Sequence, residues 1–132
     1  MTTLVDTHAW IWWVVADKRL SRQARAAIER ATRRGDLGLS AISIWEVAKK
    51  VEKGQLRMDR PLDEWLDGAL AADGLEVLEL TRAVLVDSCR LPGSFHGDPA
   101  DQIIVATARQ RGASVVTGDS RIREYTYVKT IW

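Results

Sequence analysis

The chain has 132 residues, of which 46% are hydrophobic and 28% charged, and 19 basic against 18 acidic residues give a net charge of +1. These figures indicate one globular domain and argue against a disordered chain. The small net charge excludes a basic field over the whole protein, so any nucleic-acid site must be a local patch.

The predicted strands and helices alternate along the chain. In chain order, the hydrophobic pattern and the Gly, Pro and Ser punctuation predict a strand at 2–7, helices at 8–16 and 22–34, a strand at 37–42, helices at 44–53 and 62–72, a strand at 75–80, helices at 82–90 and 99–110, a strand at 114–117, a helical turn at 120–124 and a strand at 128–131. Strands separated by helices predict right-handed crossovers. We therefore expect a three-layer α/β/α sandwich with a mainly parallel central sheet.

Several local patterns carry further expectations. The apolar run 9–16 is too short to span a bilayer and follows Asp6 rather than a basic leader, so we expect no membrane segment, no signal peptide and a cytoplasmic protein. Cys89 has no partner for an internal disulfide and is predicted to be a small core residue. Among the six tryptophans, Trp13 and Trp45 are predicted to pack in the core, and Trp12 to point away from the helical face that carries Trp13.

Acidic residues gather at one edge of the predicted sheet. Each of them either follows a predicted strand or lies at the start of a helix on the same side of the sheet: Asp6, Glu46, Asp98, Asp101 and Asp119. Carboxylates held close together raise one another's pKa and need a compensating charge. Oxygen ligands without a cysteine or histidine cluster favour Mg²⁺ or Mn²⁺ over zinc. Such a site is suited to hydrolysis of a phosphodiester by metal-activated water.

Each acid also has a purely structural interpretation. Ser43 is predicted to cap the helix 44–53, and Glu46 three residues later would complete a capping box. The acids at the other helix starts could cap the helix or complement its dipole: Asp98, Asp101 and Asp119. Asp6 is hardest to explain in this way, because a carboxylate that ends an apolar strand is costly to bury without a partner. Separate structural roles would not explain why all these acids lie at one edge of the predicted sheet. A shared metal-binding site explains it and is therefore favoured.

Four segments, in order, resemble the PIN domain and, within it, the VapC-type toxins: LVDTHAWIWW, SAISIWEVAKK, HGDPADQIIVATA and VVTGD. The resemblance covers essentially the whole chain. It implies that Asp6, Glu46, Asp101 and Asp119 are the catalytic, metal-binding acids and that Asp98 and Thr117 support them. The chain departs from the family at Gln102, where arginine is common, and at Gly118, where alanine or asparagine is usual.

The same resemblance implies the activity and the partners. The activity would be that of a Mg²⁺-dependent endoribonuclease, with Mn²⁺ able to substitute, which leaves a 5′-phosphate on the downstream product. The partners would be an RNA substrate, a second copy of the chain in a homodimer, and a VapB-like antitoxin whose C-terminal segment occupies an apolar groove. Contacts to RNA are expected from Arg121, Arg123, Lys49 and Lys50, with Arg19, Arg22 and Lys53 as further candidates on the rim. The lysines could instead form a solvated helix face.

Two other functions stay open at this stage. A receiver-like phosphoacceptor domain has a similar length and an acidic Mg²⁺ pocket, but its phosphorylatable aspartate should end a central strand, and the strand 75–80 leads into Thr81. A catalytically silent PIN-fold binding module would act through its partner alone. His8 and His96 lack the spacing of a zinc site and are predicted to make local hydrogen bonds.

Overall fold

The computed structural model describes residues 3–132, so the predicted start of the first strand at Thr2 lies outside the described residues. The elements are β1 (Thr3–Val5), α1 (Thr7–Val14), α2 (Arg22–Arg33), β2 (Leu37–Ser40), α3 (Ala41–Glu52), α4 (Leu62–Leu70), β3 (Leu75–Leu78), α5 (Arg82–Ser88), α6 (Pro99–Arg111), β4 (Ser114–Val116), α7 (Ser120–Arg123) and β5 (Lys129–Ile131). Every element expected from the sequence is present, within a few residues of its predicted bounds.

All five strands are parallel and lie in the order β3-β2-β1-β4-β5. The predicted α/β sandwich with a parallel sheet is thereby confirmed. The order differs from the 2-1-3-4-5 order of receiver-type domains, which removes the structural basis for a phosphoacceptor. Strand β1 lies in the middle, and its end is held beside the end of β4 because the Asp6 amide donates to the Val116 carbonyl at 3.0 Å.

The core lies on both faces of the sheet, because successive strand side chains point in opposite directions. On one face Val5 and Val116 pack with Ile28 of α2 and with the fully buried Trp10 of α1. On the other face Leu4 and Val115 pack with Ile104 and Ala108 of α6. Two apolar clusters on opposite faces give the three layers. None of the helices in the described part of the chain is long and apolar enough to cross a bilayer.

Helix α3 begins three residues earlier than predicted. The ladder between β2 and β3 ends at the pair Ser40 and Leu78, and the Ser40 hydroxyl accepts a hydrogen bond from the Ile42 amide at 3.2 Å. Ser40 is therefore the N-cap, and the expectation that Ser43 caps this helix is wrong. Both serines are good capping residues, and the end of the strand ladder selects the first.

Two residues expected in the core are exposed. Ser43 and Val47 form the buried side of α3, and Trp45 lies on the opposite side of that helix, where it is 54% exposed. Cys89 is exposed at the C-cap of α5. The expectation for Trp13 holds in part, because its ring packs against the first core cluster but is only partly buried. Trp12 lies beside Trp132, 5.9 Å between ring centroids.

Candidate active site

Asp6 and Asp119 are joined through one threonine hydroxyl. Asp6 follows β1, is only 3% exposed, and caps α1 by accepting a hydrogen bond from the Thr7 amide at 2.8 Å. Its other carboxylate oxygen, Oδ2, accepts from the Thr117 hydroxyl at 2.7 Å. The same hydroxyl oxygen accepts from the Asp119 amide at 3.0 Å. Thr117, at the end of β4, thus fixes the orientation of Asp6 and the path of the chain into Asp119.

Glu46 projects from α3 toward the same edge and is held by Thr7. The Thr7 hydroxyl donates a hydrogen bond to the Glu46 carboxylate. The Ser43 hydroxyl oxygen lies 2.8 Å from the Thr7 hydroxyl oxygen. Burial raises the pKa of Glu46, the Thr7 hydrogen bond opposes this, and the charges of Asp6 and Asp98 add to it. The capping-box interpretation of Glu46 is wrong, because Ser43 lies inside the helix and faces Thr7. Sequence reasoning did not single out Thr7, although it directly follows the acid that ends β1.

Asp101 is the most strongly perturbed acid of the site. It lies in the first turn of α6, is 8% exposed, and its amide donates to the capping Asp98 carboxylate at 3.2 Å. Burial, together with the negative charges of the four other acids around it, raises the pKa of Asp101 from 3.8 to about 7. Asp98 itself is exposed and caps α6 through bonds to two amides. We use the name acidic centre for the four acids without Asp98: Asp6, Glu46, Asp101 and Asp119.

A guanidinium group supplies positive charge to the acidic centre. The Arg121 Nη2 atom lies 3.3 Å from Asp101 Oδ2 and 3.1 Å from Asp119 Oδ2. Burial alone would raise the pKa of Asp119, but the side-chain and backbone hydrogen bonds from Arg121 outweigh it and lower that pKa. The Arg121 side chain remains 55% exposed. It therefore acts as a counter-ion that solvent can reach.

Two histidines make local hydrogen bonds at the edge of the acidic centre, as predicted. His8 Nε2 accepts from the Gly118 amide at 3.0 Å, which leaves Nδ1 to carry the proton 3.3 Å from Asp6 Oδ2. The His8 ring lies 5.8 Å from the Trp132 ring, which also closes over Gly118: a β-carbon on this glycine would lie 2.8 Å from the indole. The departure from the family at Gly118 thus makes room for Trp132.

His96 lies on the other side of the acidic centre. Its Nδ1 atom accepts from the Asp98 amide at 3.2 Å. Its Nε2 atom is 3.2 Å from Asp101 Oδ2, but the geometry is too poor for a hydrogen bond, so this buried nitrogen has none. The contact with Asp101 is therefore a weak electrostatic one.

Most of the basic residues expected on the rim are not in contact with the acids. Lys49 pairs with Glu52 at 2.7 Å and lies 5.8 Å over the Trp45 ring, which agrees with the alternative of a solvated helix face. Lys50 is exposed, and its charge acts on Glu46. Arg123 is exposed at the end of α7. Of the four cations expected to contact RNA, only Arg121 forms an ion pair with the acidic centre within residues 3–132.

The chemistry of the acidic centre fits a hard divalent cation, although its present geometry is not a finished metal site. The donors are carboxylate oxygens, and their mutual repulsion is what a cation would relieve. Within residues 3–132, however, no group of three or more His, Cys, Asp or Glu side chains is arranged to hold an ion as it stands. In this structure the Arg121 guanidinium supplies the positive charge beside Asp101 and Asp119.

Comparison with known proteins identifies relatives over the whole chain. A family model described as PIN domain matches residues 3–126. Ribonuclease VapC22 of Mycobacterium tuberculosis is 36% identical over 133 residues, which cover 99% of this chain and 98% of that protein. The crystal structure of VapBC2 from Rickettsia felis bound to a DNA fragment from their promoter matches with a TM-score of 0.72 at 16% identity, over 98% of this chain and 97% of that chain. The DNA-bound VapBC from Salmonella typhimurium gives 0.71 at 20% identity, over 98% and 96%. At identities of 16% and 20%, these two structures show a shared fold alone.

Proposed function

The chain belongs to the PIN-domain family, and on this premise we propose that it is a Mg²⁺-dependent endoribonuclease, the toxin of a type II toxin–antitoxin pair. The observation that carries the proposal is the acidic centre, in which four elements bring carboxylates together around a buried aspartate whose pKa is raised to about 7. A relative that is identical at 36% of positions over nearly the whole chain is a ribonuclease.

The four acids of the acidic centre would hold the cation, directly or through water, and Mn²⁺ would substitute for Mg²⁺. When bound, the ion supplies Lewis-acid polarisation of the scissile phosphate and lowers the pKa of a bound water. Thr117 keeps the Asp6 carboxylate oriented, and Thr7 does the same for Glu46. A carboxylate of the acidic centre would accept the proton of that water, and Glu46 is one of those whose pKa burial raises.

Arg121 would serve two partners in turn. With no cation bound, its guanidinium neutralises Asp101 and Asp119. Its exposed side chain can turn outward once an ion supplies that charge, and a guanidinium suits bidentate binding of an RNA phosphate. Arg123, Lys49 and Lys50 would add weaker phosphate contacts around the rim. Affinity for RNA should therefore fall steeply as salt is raised, and an affinity independent of salt would contradict these contacts.

Cleavage of RNA tests the proposal. Purified protein is incubated with transfer and ribosomal RNA in Mg²⁺, in Mn²⁺ and in chelator, and the downstream product is tested for a 5′-phosphate. We expect cleavage only with the ions. Asp6→Asn should abolish it while preserving the fold, since asparagine can still cap α1. Full cleavage by a folded Asp6→Asn protein would refute the assignment. Binding of the RNA without cleavage by the wild type would favour the silent binding module.

An apolar groove beside the acidic centre is suited to the proposed VapB-like antitoxin. A cavity of about 850 Å³ lies between α1, α4 and the segment 55–60, and its lining includes Ile11, Met58 and Trp65. His8 belongs to the lining and lies 3.3 Å from Asp6, so a segment bound in the groove would pass close to the acidic centre. The product of a small open reading frame next to this gene is the antitoxin to test. We expect Met58→Asp to weaken its binding and Met58→Leu to preserve it; equal affinities would contradict the groove.

The proposed homodimer would use the apolar face of β3 and α5. Large hydrophobic side chains are exposed on this part of the surface, at Val77, Leu80, Leu85 and Val86. Exposed apolar groups that cluster in this way mark interaction surfaces. Light scattering after gel filtration should show a dimer for the wild type and a monomer for Leu85→Arg. A monomeric wild-type protein would refute the homodimer.

A further inference from the structure

A second concave site, lined by aromatic rings, adjoins the acidic centre. It is a cleft of about 350 Å³ between residues 94–96 and residues 124–127, which we call the aromatic cleft. Its rings follow one another in space: the ring centroids of Phe95 and His96 are 4.3 Å apart, those of Phe95 and Tyr125 4.8 Å, and those of Tyr125 and Tyr127 5.5 Å. The volume is at the lower end of the range for small-ligand sites.

The aromatic cleft is continuous with the acidic centre through two residues. His96 lines the cleft and lies 3.2 Å from Asp101 Oδ2, and Arg121 lines it while contacting Asp101 and Asp119. A ligand in the cleft would therefore lie next to a phosphate held at the acids.

The rings differ in what they leave free for a ligand. Tyr125 is buried, and its hydroxyl donates to the Pro92 carbonyl, so it forms the floor. Tyr127 is 50% exposed. The Arg109 guanidinium donates to the Tyr127 carbonyl at 2.6 Å and also lies over the ring, 5.8 Å from its centroid. Tyr127 is therefore anchored, and the half of the residue that stays exposed can stack with a base.

The charges of the aromatic cleft favour a base over a phosphate. The Glu124 carboxylate belongs to the lining and would repel a phosphate inside it. Arg121 lies where the cleft meets the acids, and the phosphate backbone of a bound RNA strand would pass there. Flat aromatic faces with a nearby guanidinium are the means by which proteins hold unpaired bases.

We propose that the aromatic cleft binds one unpaired nucleobase of the RNA, next to the phosphate that is hydrolysed at the acidic centre. This inference rests on the proposed function and adds a base-binding subsite beside the acidic centre, in which a base of the RNA stacks on Tyr127. Double-stranded RNA would present no free base face to the cleft.

Binding measured without cleavage tests the aromatic cleft. Fluorescence anisotropy in chelator compares an oligoadenylate with an abasic oligoribose phosphate of the same length, which has the same charge but no bases. The wild type should prefer the oligoadenylate by about tenfold, as expected for one stacked base. Tyr127→Leu should remove this preference, and Tyr127→Phe should retain it. The salt dependence should be the same in all three proteins, because no phosphate contact is changed.

The outcomes separate this inference from the nuclease. A wild type without preference for bases, or a Tyr127→Leu protein that keeps the preference, overturns the aromatic cleft. Base preference in a protein that cleaves no RNA supports the cleft and refutes the nuclease. Binding of neither oligomer overturns the cleft, whereas the cleavage assay with Mg²⁺ or Mn²⁺ decides the nuclease independently. Urea unfolding of Tyr127→Leu confirms that its fold is intact.

Discussion

Replacing Asp101 by asparagine should stabilise the folded protein at and above neutral pH. Asp101 is buried, and burial together with the surrounding negative charges raises its pKa from 3.8 to about 7. Asparagine has nearly the same shape and no charge, so the substitution removes the repulsion without opening a cavity. The difference in stability between the two proteins then measures the cost of the ionised carboxylate.

The sign and size follow from proton linkage. Because the pKa of Asp101 is higher in the folded than in the unfolded state, the folded protein binds more protons between about pH 4 and about pH 7, and the free energy of unfolding falls as the pH rises through this window. A pKa difference of about 3 corresponds to roughly 4 kcal/mol. Asp101→Asn should therefore exceed the wild type by up to about 4 kcal/mol near pH 8 and match it near pH 3.

Urea unfolding in chelator, followed by tryptophan fluorescence at a series of pH values, measures this difference. Asp87→Asn is the matched control, because Gln110 and Arg90 hydrogen bonds lower the pKa of Asp87 and its loss should not stabilise the protein at high pH. Asp101→Asn that is no more stable than the wild type near pH 8, or a difference that does not change with pH, would refute the reasoning.

Three further substitutions probe the geometry around the acidic centre. Thr117→Val removes a buried hydroxyl bonded at 2.7 and 3.0 Å and should cost roughly 1–3 kcal/mol in urea unfolding, whereas Thr117→Ser should cost much less. Gly118→Ala would place a β-carbon 2.8 Å from the Trp132 indole and force the indole to shift. The free energy of unfolding should fall by roughly 1–3 kcal/mol, and adding Trp132→Leu should restore it. Arg121→Ala removes the guanidinium hydrogen bonds and charge that help to lower the pKa of Asp119 but keeps the backbone amide, so carboxyl NMR titration should show that pKa rise; an unchanged value would show that the guanidinium contact is absent in solution.

The layout of the sheet and the gathering of the acids could be predicted because they depend on periodicity and topology. In a parallel sheet, strand ends and helix starts share one edge, so Asp6 after β1 and Asp119 after β4 were expected at the same edge. The strand order, which the sequence did not predict, makes them neighbours. A supporting role for Thr117 was expected from the resemblance, and in the structure its hydroxyl hydrogen-bonds the Asp6 carboxylate.

What the sequence could not supply depends on contacts between distant segments. Ser40 and Ser43 are equally good caps, and only the length of the β2–β3 ladder decides between them. That shift of three residues turns Ser43 inward to Thr7 and leaves Trp45 outside. The position of Arg121 on the acids depends on a side-chain rotamer, which no hydrophobic pattern encodes.

Binding of a divalent cation by the acidic centre is tested most directly by titrating Mn²⁺ and following the free ion by electron paramagnetic resonance. The wild type should bind Mn²⁺ saturably, Asp101→Asn at least about tenfold more weakly, and Arg121→Ala more tightly than the wild type, because the guanidinium no longer competes for the carboxylates. Asp87→Asn should bind like the wild type. Absence of saturable binding to the wild type, or equal binding by Asp101→Asn, would contradict a cation-dependent nuclease centre at these residues.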